Sequence, residues 1–268
     1  ITFCMEVNSL KKAITPKTEA IVPVHLYGQA APMEEILAVA KEHGIYVIED
    51  NAQAIGCDYT FSDGTKKKTG TMGHIGATSF YPSKNLGAYG DGGAIFTNDD
   101  ALAQKMAMIA NHGQSKRYYH DVVGCNSRLD SIQAAVLNIK LKHLDAYNTA
   151  RQKVAAFYNN AFASLSQIIT PSTASYTTHV FHQYTMQLKN VDREAFIAHL
   201  ATHDVPCMIY YPVPGHLQKM FVHANETQWD LPVTDQLTPC VCSLPIHTEM
   251  DEAQLQHIAT AVQSFFTK

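Results

Sequence analysis

The stretch SFYPSKNLGAYGDGG, at residues 79–93, decides the fold because it carries one lysine, Lys84, between two apolar runs. The run at residues 75–81 ends just before Lys84, and residues 93–97 form the next run, so each predicts a strand. Glycines lie between them at positions 87, 90, 92 and 93. Because glycine adopts positive φ at little cost, this backbone can closely approach a ligand bound beside Lys84.

A second stretch, EDNAQAIG at residues 49–56, places Asp50 directly after another predicted strand. Residues 19–25 and 45–48 are apolar, and residues 33–43 between them carry apolar side chains at helical spacing. This order of strand, helix and strand predicts a βαβ unit and a parallel sheet. Open α/β sheets bind ligands at the carboxyl ends of their strands, so Asp50 and Lys84 are expected at the same edge.

A lysine and an aspartate at one sheet edge predict a site for pyridoxal 5′-phosphate. The Lys84 amine can hold this cofactor as a Schiff base, and a carboxylate such as Asp50 can keep the pyridine nitrogen protonated, so that the ring accepts electrons. Ser79, at the mouth of the strand, can bind the cofactor phosphate through its hydroxyl. Lys84 is therefore the predicted catalytic residue, and Asp50 and Ser79 are predicted to bind the cofactor.

Further motifs surround these two stretches in a fixed order. They are VHLYGQ at 24–29, NHG at 111–113, GCNSRLD at 124–130, QAA at 133–135, YPVPGH at 211–216 and LPIH at 244–247. Together they resemble the DegT/DnrJ/EryC1/StrS family of nucleotide-sugar aminotransferases over nearly the whole chain. The resemblance implies an α/β fold of the pyridoxal phosphate-dependent type I, or aspartate aminotransferase, class. Such a fold has a mainly parallel sheet in a large domain and a smaller α+β domain at the C-terminus.

The resemblance also assigns roles to single residues. Gln53 matches the family glutamine beside the cofactor ring. Asn126 matches the asparagine that reaches across a dimer interface to the neighbouring subunit's cofactor phosphate, so a homodimer with shared active sites is expected. Tyr211 and His216 lie in the segment that approaches the sugar substrate, although the surrounding prolines explain a rigid turn equally well. Arg128 either binds a carboxylate or phosphate bidentately or is structural.

The implied reaction is transamination, in which glutamate donates the amino group and a ketone on a nucleotide-linked sugar receives it. The residues at 112–114, 117–118, 120 and 126–130 are most similar to members that aminate C3, for amino-sugar or cell-surface polysaccharide biosynthesis. A 4-keto sugar is the nearest alternative. Dehydratase members carry histidine in place of the Schiff-base lysine, so Lys84 argues against that branch.

Two alternatives come from other classes of protein. A regulatory protein on the same fold would bind an amino sugar without turnover. A nicotinamide-dependent oxidoreductase would need its glycines after a strand and at the start of a helix, whereas here they precede a strand.

Domain organisation follows from the order of predicted elements. A helix with apolar residues from Leu129 to Leu144 leads out of a cofactor-binding large domain at residues 1–147. Residues 148–268 form the smaller domain, with helices at 151–165, 193–203 and 251–266 and strands at 180–188 and 206–211. Family members usually have on the order of a hundred residues before the point that matches Ile1. That portion supplies a phosphate loop and a stacking ring, so this chain is expected to be N-terminally incomplete.

Composition argues against several other functions. A formal net charge of −4 and a pI near 6.4 give no basic surface for nucleic acid, and Lys66–Lys68 is interpreted as a solvated loop. No apolar run approaches the roughly 18 residues of a membrane span. Six scattered cysteines indicate free thiols in a reducing, cytoplasmic compartment. His179 and His182, on a predicted strand, would face opposite sides, so no metal site is expected.

Overall fold

A computed structural model describes residues 2–222 and 229–267 and divides them into two units. The large unit consists of Thr2–Thr149 with Thr173–His182, and the small unit of Ala150–Ser172 with Gln183–Lys268. Residues 173–182 thus pack with the large unit, although the chain on both sides of them belongs to the small one.

The large unit contains four helices, eight strands and the start of a fifth helix among its described residues. The helices are α1 (Val7–Ala13), α2 (Met33–His43), α3 (Asp100–Ala110), α4 (Ser131–Lys140) and the first residues of α5 (Leu144–Phe162). The strands are β1 (Ala20–Ile21), β2 (Tyr46–Asp50), β3 (Asp58–Thr60), β4 (Lys66–Lys68), β5 (Ile75–Ser79), β6 (Gly93–Phe96), β7 (Gln114–Lys116) and β8 (Tyr119–His120).

The central sheet of the large unit has the order β1-β2-β5-β6. The first two pairings are parallel and the last is antiparallel, so the predicted mainly parallel sheet is confirmed. Asp50 lies beside Ala77 in the register of β2 and β5, and Ser79 pairs with Gly93 of β6. The carboxyl ends of β2 and β5 therefore meet at one edge, which carries Asp50 and Ser79.

Helix α2 covers this sheet with an apolar face and is confirmed at its predicted bounds. Its buried residues are Met33, Ile36, Val39 and Ala40, the spacing expected of one helix face. The helix ends at Gly44, whose φ of +66° is left-handed and suits glycine. Val47 of β2 belongs to the same buried cluster, so the crossover helix and the strand that carries Asp50 share one core.

The small unit is built on a three-stranded antiparallel sheet of order β11-β10-β9. Its strands are β9 (Ile168–Ile169), β10 (Tyr184–Leu188) and β11 (Val241–Leu244), and its helices are the rest of α5, α6 (Arg193–Ala201), α7 (Lys219–Val222), α8 (Pro232–Leu237) and α9 (Glu252–Phe266). All five residues of β10 are buried, which makes it the centre of this unit. None of the described helices has the length and apolar character that crossing a bilayer requires.

Several predicted bounds were wrong, each for a local reason. The strand predicted at 206–211 is reduced to one bridge between Met208 and Ser243, and Pro206 at its start has no N–H to donate to a ladder. The strand predicted at 180–188 begins only at Tyr184, since Phe181 has a left-handed φ of +43°. His179 and His182 therefore lie outside any strand, and the expectation that they face opposite sides has no basis.

Two further elements differ from the sequence-based prediction. Lys66–Lys68 is exposed as expected, yet it forms β4 rather than a loop, paired with β3 and joined to it by an ion pair of 2.8 Å between Lys68 Nζ and Asp58 Oδ1. The single long helix predicted from Leu129 to Leu144 is instead α4, one 3-10 turn at Leu141–His143, and the start of α5.

Candidate active site

The lysine loop, residues 80–92 between β5 and β6, is closed by backbone hydrogen bonds. Phe80 N donates to Gly92 O over 2.8 Å, and Ala88 N donates to Phe80 O over 2.8 Å. Lys84 N donates to Tyr81 O over 2.9 Å, which places the lysine in a tight turn at the loop's start. The loop therefore holds the backbone of Lys84 at the carboxyl edge of the sheet.

Glycine is required at position 87 of the lysine loop because the chain comes very close to itself there. A Cβ on Gly87 would lie 2.3 Å from the carbonyl oxygen of Pro82. The Gly87 carbonyl also accepts a hydrogen bond of 2.6 Å from Lys140 Nζ of α4. The loop's shape thus depends on both its own sequence and a neighbouring helix.

The structure places the Lys84 amine within electrostatic range of the Asp50 carboxylate. Lys84 is half-buried, and this burial lowers the pKa of its amine below the ordinary value of 10.5, while the negative charge of Asp50 acts in the opposite direction. A lowered pKa gives a larger fraction of neutral amine, the form that attacks an aldehyde. The carboxylate itself is held in place, since Asp50 Oδ1 accepts a hydrogen bond of 3.0 Å from Ala52 N.

Gln53 and Ser79, the other two predicted cofactor-binding residues of the large unit, are each fixed by a hydrogen bond. Gln53 is buried, and its Oε1 accepts a hydrogen bond of 2.6 Å from Tyr27 N, which ties it to the segment after β1. Ser79 Oγ accepts a hydrogen bond of 3.2 Å from Tyr81 N. Because that contact uses the oxygen as an acceptor, the Ser79 hydroxyl keeps its hydrogen for donation to an anion.

A buried pair that the sequence did not indicate lies next to Asp50. Glu49 and His25 are both fully buried, and His25 Nε2 lies 2.9 Å from Glu49 Oε2. His25 Nδ1 accepts a hydrogen bond of 3.1 Å from Ala31 N, so Nε2 carries the proton and donates it to the carboxylate. The only sequence signals were the position of Glu49 beside Asp50 and that of His25 in a family motif.

The Glu49 carboxylate is also bound by three backbone amides. Oε1 accepts from Met72 N and Gly73 N, each at 2.6 Å, and Oε2 accepts from Gly70 N at 2.7 Å. Burial raises the pKa of Glu49, but the bonds from His25, Gly73 and Gly70 outweigh it, so the pKa lies below its ordinary value. A charged Glu49 thereby fastens the loop after β4 to the strand that presents Asp50.

We expect Glu49→Gln to lower the free energy of unfolding by about 3–5 kcal/mol, because an amide NH₂ would face N–H donors in a buried site. The loss should be largest above the ordinary glutamate pKa and should shrink as the pH falls through the lowered pKa of the folded state. Urea unfolding from pH 7 to pH 3 measures it. Glu42→Gln, the same change at an exposed site of the large unit, is the control, and equal losses in both variants would contradict the role.

Asn126 and Arg128 form a pair on an exposed segment of the large unit. Arg128 Nε donates a hydrogen bond of 3.0 Å to Asn126 Oδ1. Asn126 also forms a backbone bridge with Asn111, which follows α3. Arg128 is thus oriented by Asn126, and the roles of both toward cofactor or substrate stay predictions.

Tyr211 and His216 belong to the small unit. Tyr211 is 52% exposed, and His216 Nε2 lies 3.1 Å from Asp235 Oδ1 of α8. No sequence pattern indicated Asp235 as this partner. An approach of either side chain to a sugar stays a prediction.

The residues of the large unit fit pyridoxal 5′-phosphate. An amine with a lowered pKa can bond to the aldehyde, a carboxylate beside it can pair with a protonated ring nitrogen, and a serine hydroxyl at the same strand edge can donate to phosphate. Lys84, Asp50 and Ser79 supply these three groups on adjacent parallel strands and the loop that follows them.

Comparison with known proteins agrees with this fit. Residues 1–263 match the DegT/DnrJ/EryC1/StrS aminotransferase family, and the chain belongs to that family. It is therefore a pyridoxal phosphate-dependent aminotransferase of fold type I, and one solved relative contains the pyridoxamine phosphate form of the cofactor.

Individual relatives are similar over almost the entire chain. A UDP-N-acetyl-3-dehydro-α-D-glucosamine 3-aminotransferase of Acidithiobacillus ferrooxidans is 44% identical, over 97% of this chain and 68% of its own length. A protein of Geobacillus stearothermophilus named pleiotropic regulatory protein is 43% identical, over 99% of this chain and 70% of its own length. The crystal structure of DesV from S. venezuelae, in complex with a ketimine intermediate, has a TM-score of 0.92 at 38% identity, covering 99% of this chain and 70% of that one.

Proposed function

We propose that this aminotransferase moves an amino group from glutamate to the C3 ketone of a nucleotide-linked sugar. The observation that carries the proposal is the half-buried Lys84 amine, with its lowered pKa, within electrostatic range of the Asp50 carboxylate at the carboxyl edge of a parallel sheet. The choice of C3 is supported by the Acidithiobacillus relative, whose name specifies a 3-dehydro sugar. The product would serve amino-sugar or cell-surface polysaccharide biosynthesis.

Bound pyridoxal phosphate supplies an electron sink and carries the amino group between two half-reactions. Lys84 would anchor the cofactor covalently, and its released amine would be the base that takes up and returns the proton moved during transamination. Asp50 would keep a proton on the ring nitrogen through its negative charge. Ser79 would donate its hydroxyl hydrogen to the phosphate, and Gln53 would lie beside the ring.

Arg128 is the proposed partner for an anionic substrate group. Its Nε donates to Asn126, which orients the guanidinium, and its two outer nitrogens are the proposed donors to the substrate. A guanidinium held this way can bind a carboxylate or phosphate bidentately. Tyr211 and His216 are the proposed contacts to the sugar from the small unit.

A homodimer with shared sites is the proposed assembly. Helix α3 has no buried residue although it is rich in alanine and methionine, and Ile132, Ile139 and Tyr89 are each at least 65% exposed. Apolar surface of this extent is typical of an interface, and a second copy is the occupant that closed two-fold symmetry favours.

The six cysteines are free thiols, which supports a reducing, cytoplasmic location.

The proposed reaction is tested by mixing the purified protein with pyridoxal phosphate and glutamate. We expect the absorbance of the cofactor to shift to that of pyridoxamine phosphate, with release of 2-oxoglutarate. The converted protein should then aminate 3-keto nucleotide sugars faster than 4-keto ones in a panel that contains both. Cofactor binding without any conversion by glutamate would contradict the proposal and favour a regulatory protein, and a preference for 4-keto sugars would contradict the assignment to C3.

A further inference from the structure

The residue directly after the lysine, Asn85, is buried within a cluster of polar groups in the large unit. Asn85 is 7% exposed, and its Nδ2 donates to Asn148 Oδ1 over 2.8 Å and to Val180 O over 2.9 Å. Its Oδ1 lies 3.3 Å from His182 Nδ1. A buried amide with three partners from distant parts of the chain fixes the backbone at its own position.

The orientation of each group in this cluster follows from its neighbours. Two oxygens face Asn85 Nδ2, so that atom must be the nitrogen of the amide, and Oδ1 remains as the acceptor. His182 therefore carries its proton on Nδ1 and donates it to Asn85. The arrangement has only one consistent set of donors and acceptors, and it holds Asn85 in a single rotamer.

Asn148, at the start of α5, joins the lysine loop to the segment that carries the aspartate. Its Oδ1 accepts from Asn85, and its Nδ2 donates to Ile55 O over 3.2 Å. Residue 56, next in the chain, is a glycine with a φ of +86°, and a Cβ there would lie 2.6 Å from Asn148 Nδ2. The side chain of Asn148 is therefore packed directly against the stretch at 49–56 and bonded to it.

We propose that Asn85 and Asn148 are positioning residues that set Lys84 in register with Asp50. The chain of bonds from Ile55 through Asn148 to Asn85 links the two stretches that carry the amine and the carboxylate, and it does so one residue from Lys84. The inference rests on the proposed role of Lys84 and deepens it. A displacement of about 1 Å in a reacting group can slow a step on the order of 100-fold, so this link controls the reactivity of the amine.

Binding of two forms of the cofactor distinguishes a positioning role of the cluster from a general contribution to the stability of the fold. Pyridoxal phosphate must bond to Lys84, whereas pyridoxamine phosphate has no aldehyde and binds without that bond. In the purified apo-protein we expect Asn85→Leu, which keeps the branched shape of the side chain but removes all three hydrogen bonds, to slow covalent attachment of pyridoxal phosphate roughly 10- to 100-fold. The Kd for pyridoxamine phosphate should change less than about 3-fold. Timed borohydride trapping, with the labelled peptide identified, measures attachment, and a titration measures Kd.

Val39→Ala is the control for a general loss of stability, because Val39 is buried in α2 and belongs to the core cluster around the sheet. We expect it to lower thermal stability while leaving the attachment rate near that of the unaltered protein. Asn148→Ser provides a second test if Asn85→Leu does not fold, because it removes the hydrogen bonds that join Asn85 to Ile55. It should likewise slow attachment of pyridoxal phosphate and leave the Kd for pyridoxamine phosphate nearly unchanged.

The outcomes are distinct. Equal losses for both ligands would mean that the cluster only stabilises the fold, and an unchanged attachment rate with the label on Lys84 would mean that it does not position the lysine. Either result overturns the inference and leaves the proposed function intact. A label on another lysine would overturn the proposed role of Lys84 itself.

Discussion

Lys84→Met is expected to abolish transamination and, without cofactor, to make the protein more stable at neutral pH. The activity falls because one substitution removes both the covalent anchor and the base that moves the proton, and proton transfer alone accounts for roughly 10²- to 10⁴-fold. The stability rises because burial disfavours the charged amine, as its lowered pKa indicates. Lys84 thus lowers the free energy of unfolding of the cofactor-free protein, a loss of stability that is common for active-site residues.

The pH dependence of that stability has a defined sign. Between the lowered pKa in the folded protein and the ordinary value of 10.5, the unfolded chain binds more protons at Lys84 than the folded one. The unaltered protein therefore gains stability relative to Lys84→Met as the pH rises through this window. The advantage of the methionine variant should be full below the window and vanish above 10.5. Urea unfolding of both proteins without cofactor, from pH 7 upward, measures the difference.

Two matched variants complete this test. Lys17→Met removes an exposed lysine of the same unit and should change neither activity nor stability appreciably. Asp50→Asn should still be labelled at Lys84 by borohydride, but react with glutamate on the order of 10²- to 10³-fold more slowly, because the charge that stabilises the ring proton is lost. Turnover by Lys84→Met within 10-fold of the unaltered protein would show that the base lies elsewhere.

The part of the site that could be predicted from sequence is the part encoded in short, periodic segments. Helix α2 buries Met33, Ile36 and Ala40 at the spacing visible in the sequence, and the strands before and after it contribute apolar residues to the same buried cluster. A parallel βαβ unit then leaves little freedom for Asp50, because its place at the carboxyl edge follows from connectivity alone. Lys84 lies in the loop after β5, the strand next to β2, so connectivity also places it at the edge that carries Asp50.

The supporting polar groups could not be predicted because their partners are distant in the chain. His25 and Glu49 are 24 residues apart, and Asn85 and Asn148 are 63 apart, so no local pattern links them. Their hydrogen bonds depend on tertiary packing that buries each group, and a lone asparagine or glutamate in a sequence is usually solvated. The positions of Asp50 and Lys84 could therefore be predicted from the sequence, whereas the buried polar groups that hold their backbone could not.

A hybrid dimer is expected to recover up to half of the full activity when one subunit carries Lys84→Ala and the other Asn126→Asp. Closed two-fold symmetry means that a residue reaching across the interface does so twice. If each site combines Lys84 of one subunit with Asn126 of the other, both defects fall in one site and the second site is intact. If each site is built from one chain, both sites of the hybrid are damaged and no activity returns.

The aspartate is chosen because it alters charge with little change of shape. Its carboxylate keeps an acceptor for Arg128 Nε, which now bonds to Asn126 Oδ1 over 3.0 Å, so the local structure should persist. The added negative charge would repel a cofactor phosphate. The measurement uses differentially tagged subunits, purified as the hybrid and compared with both parent homodimers. An inactive hybrid, with Asn126→Asp inactive as a homodimer, would contradict shared sites, because symmetry requires one intact site whenever the two residues act from different subunits.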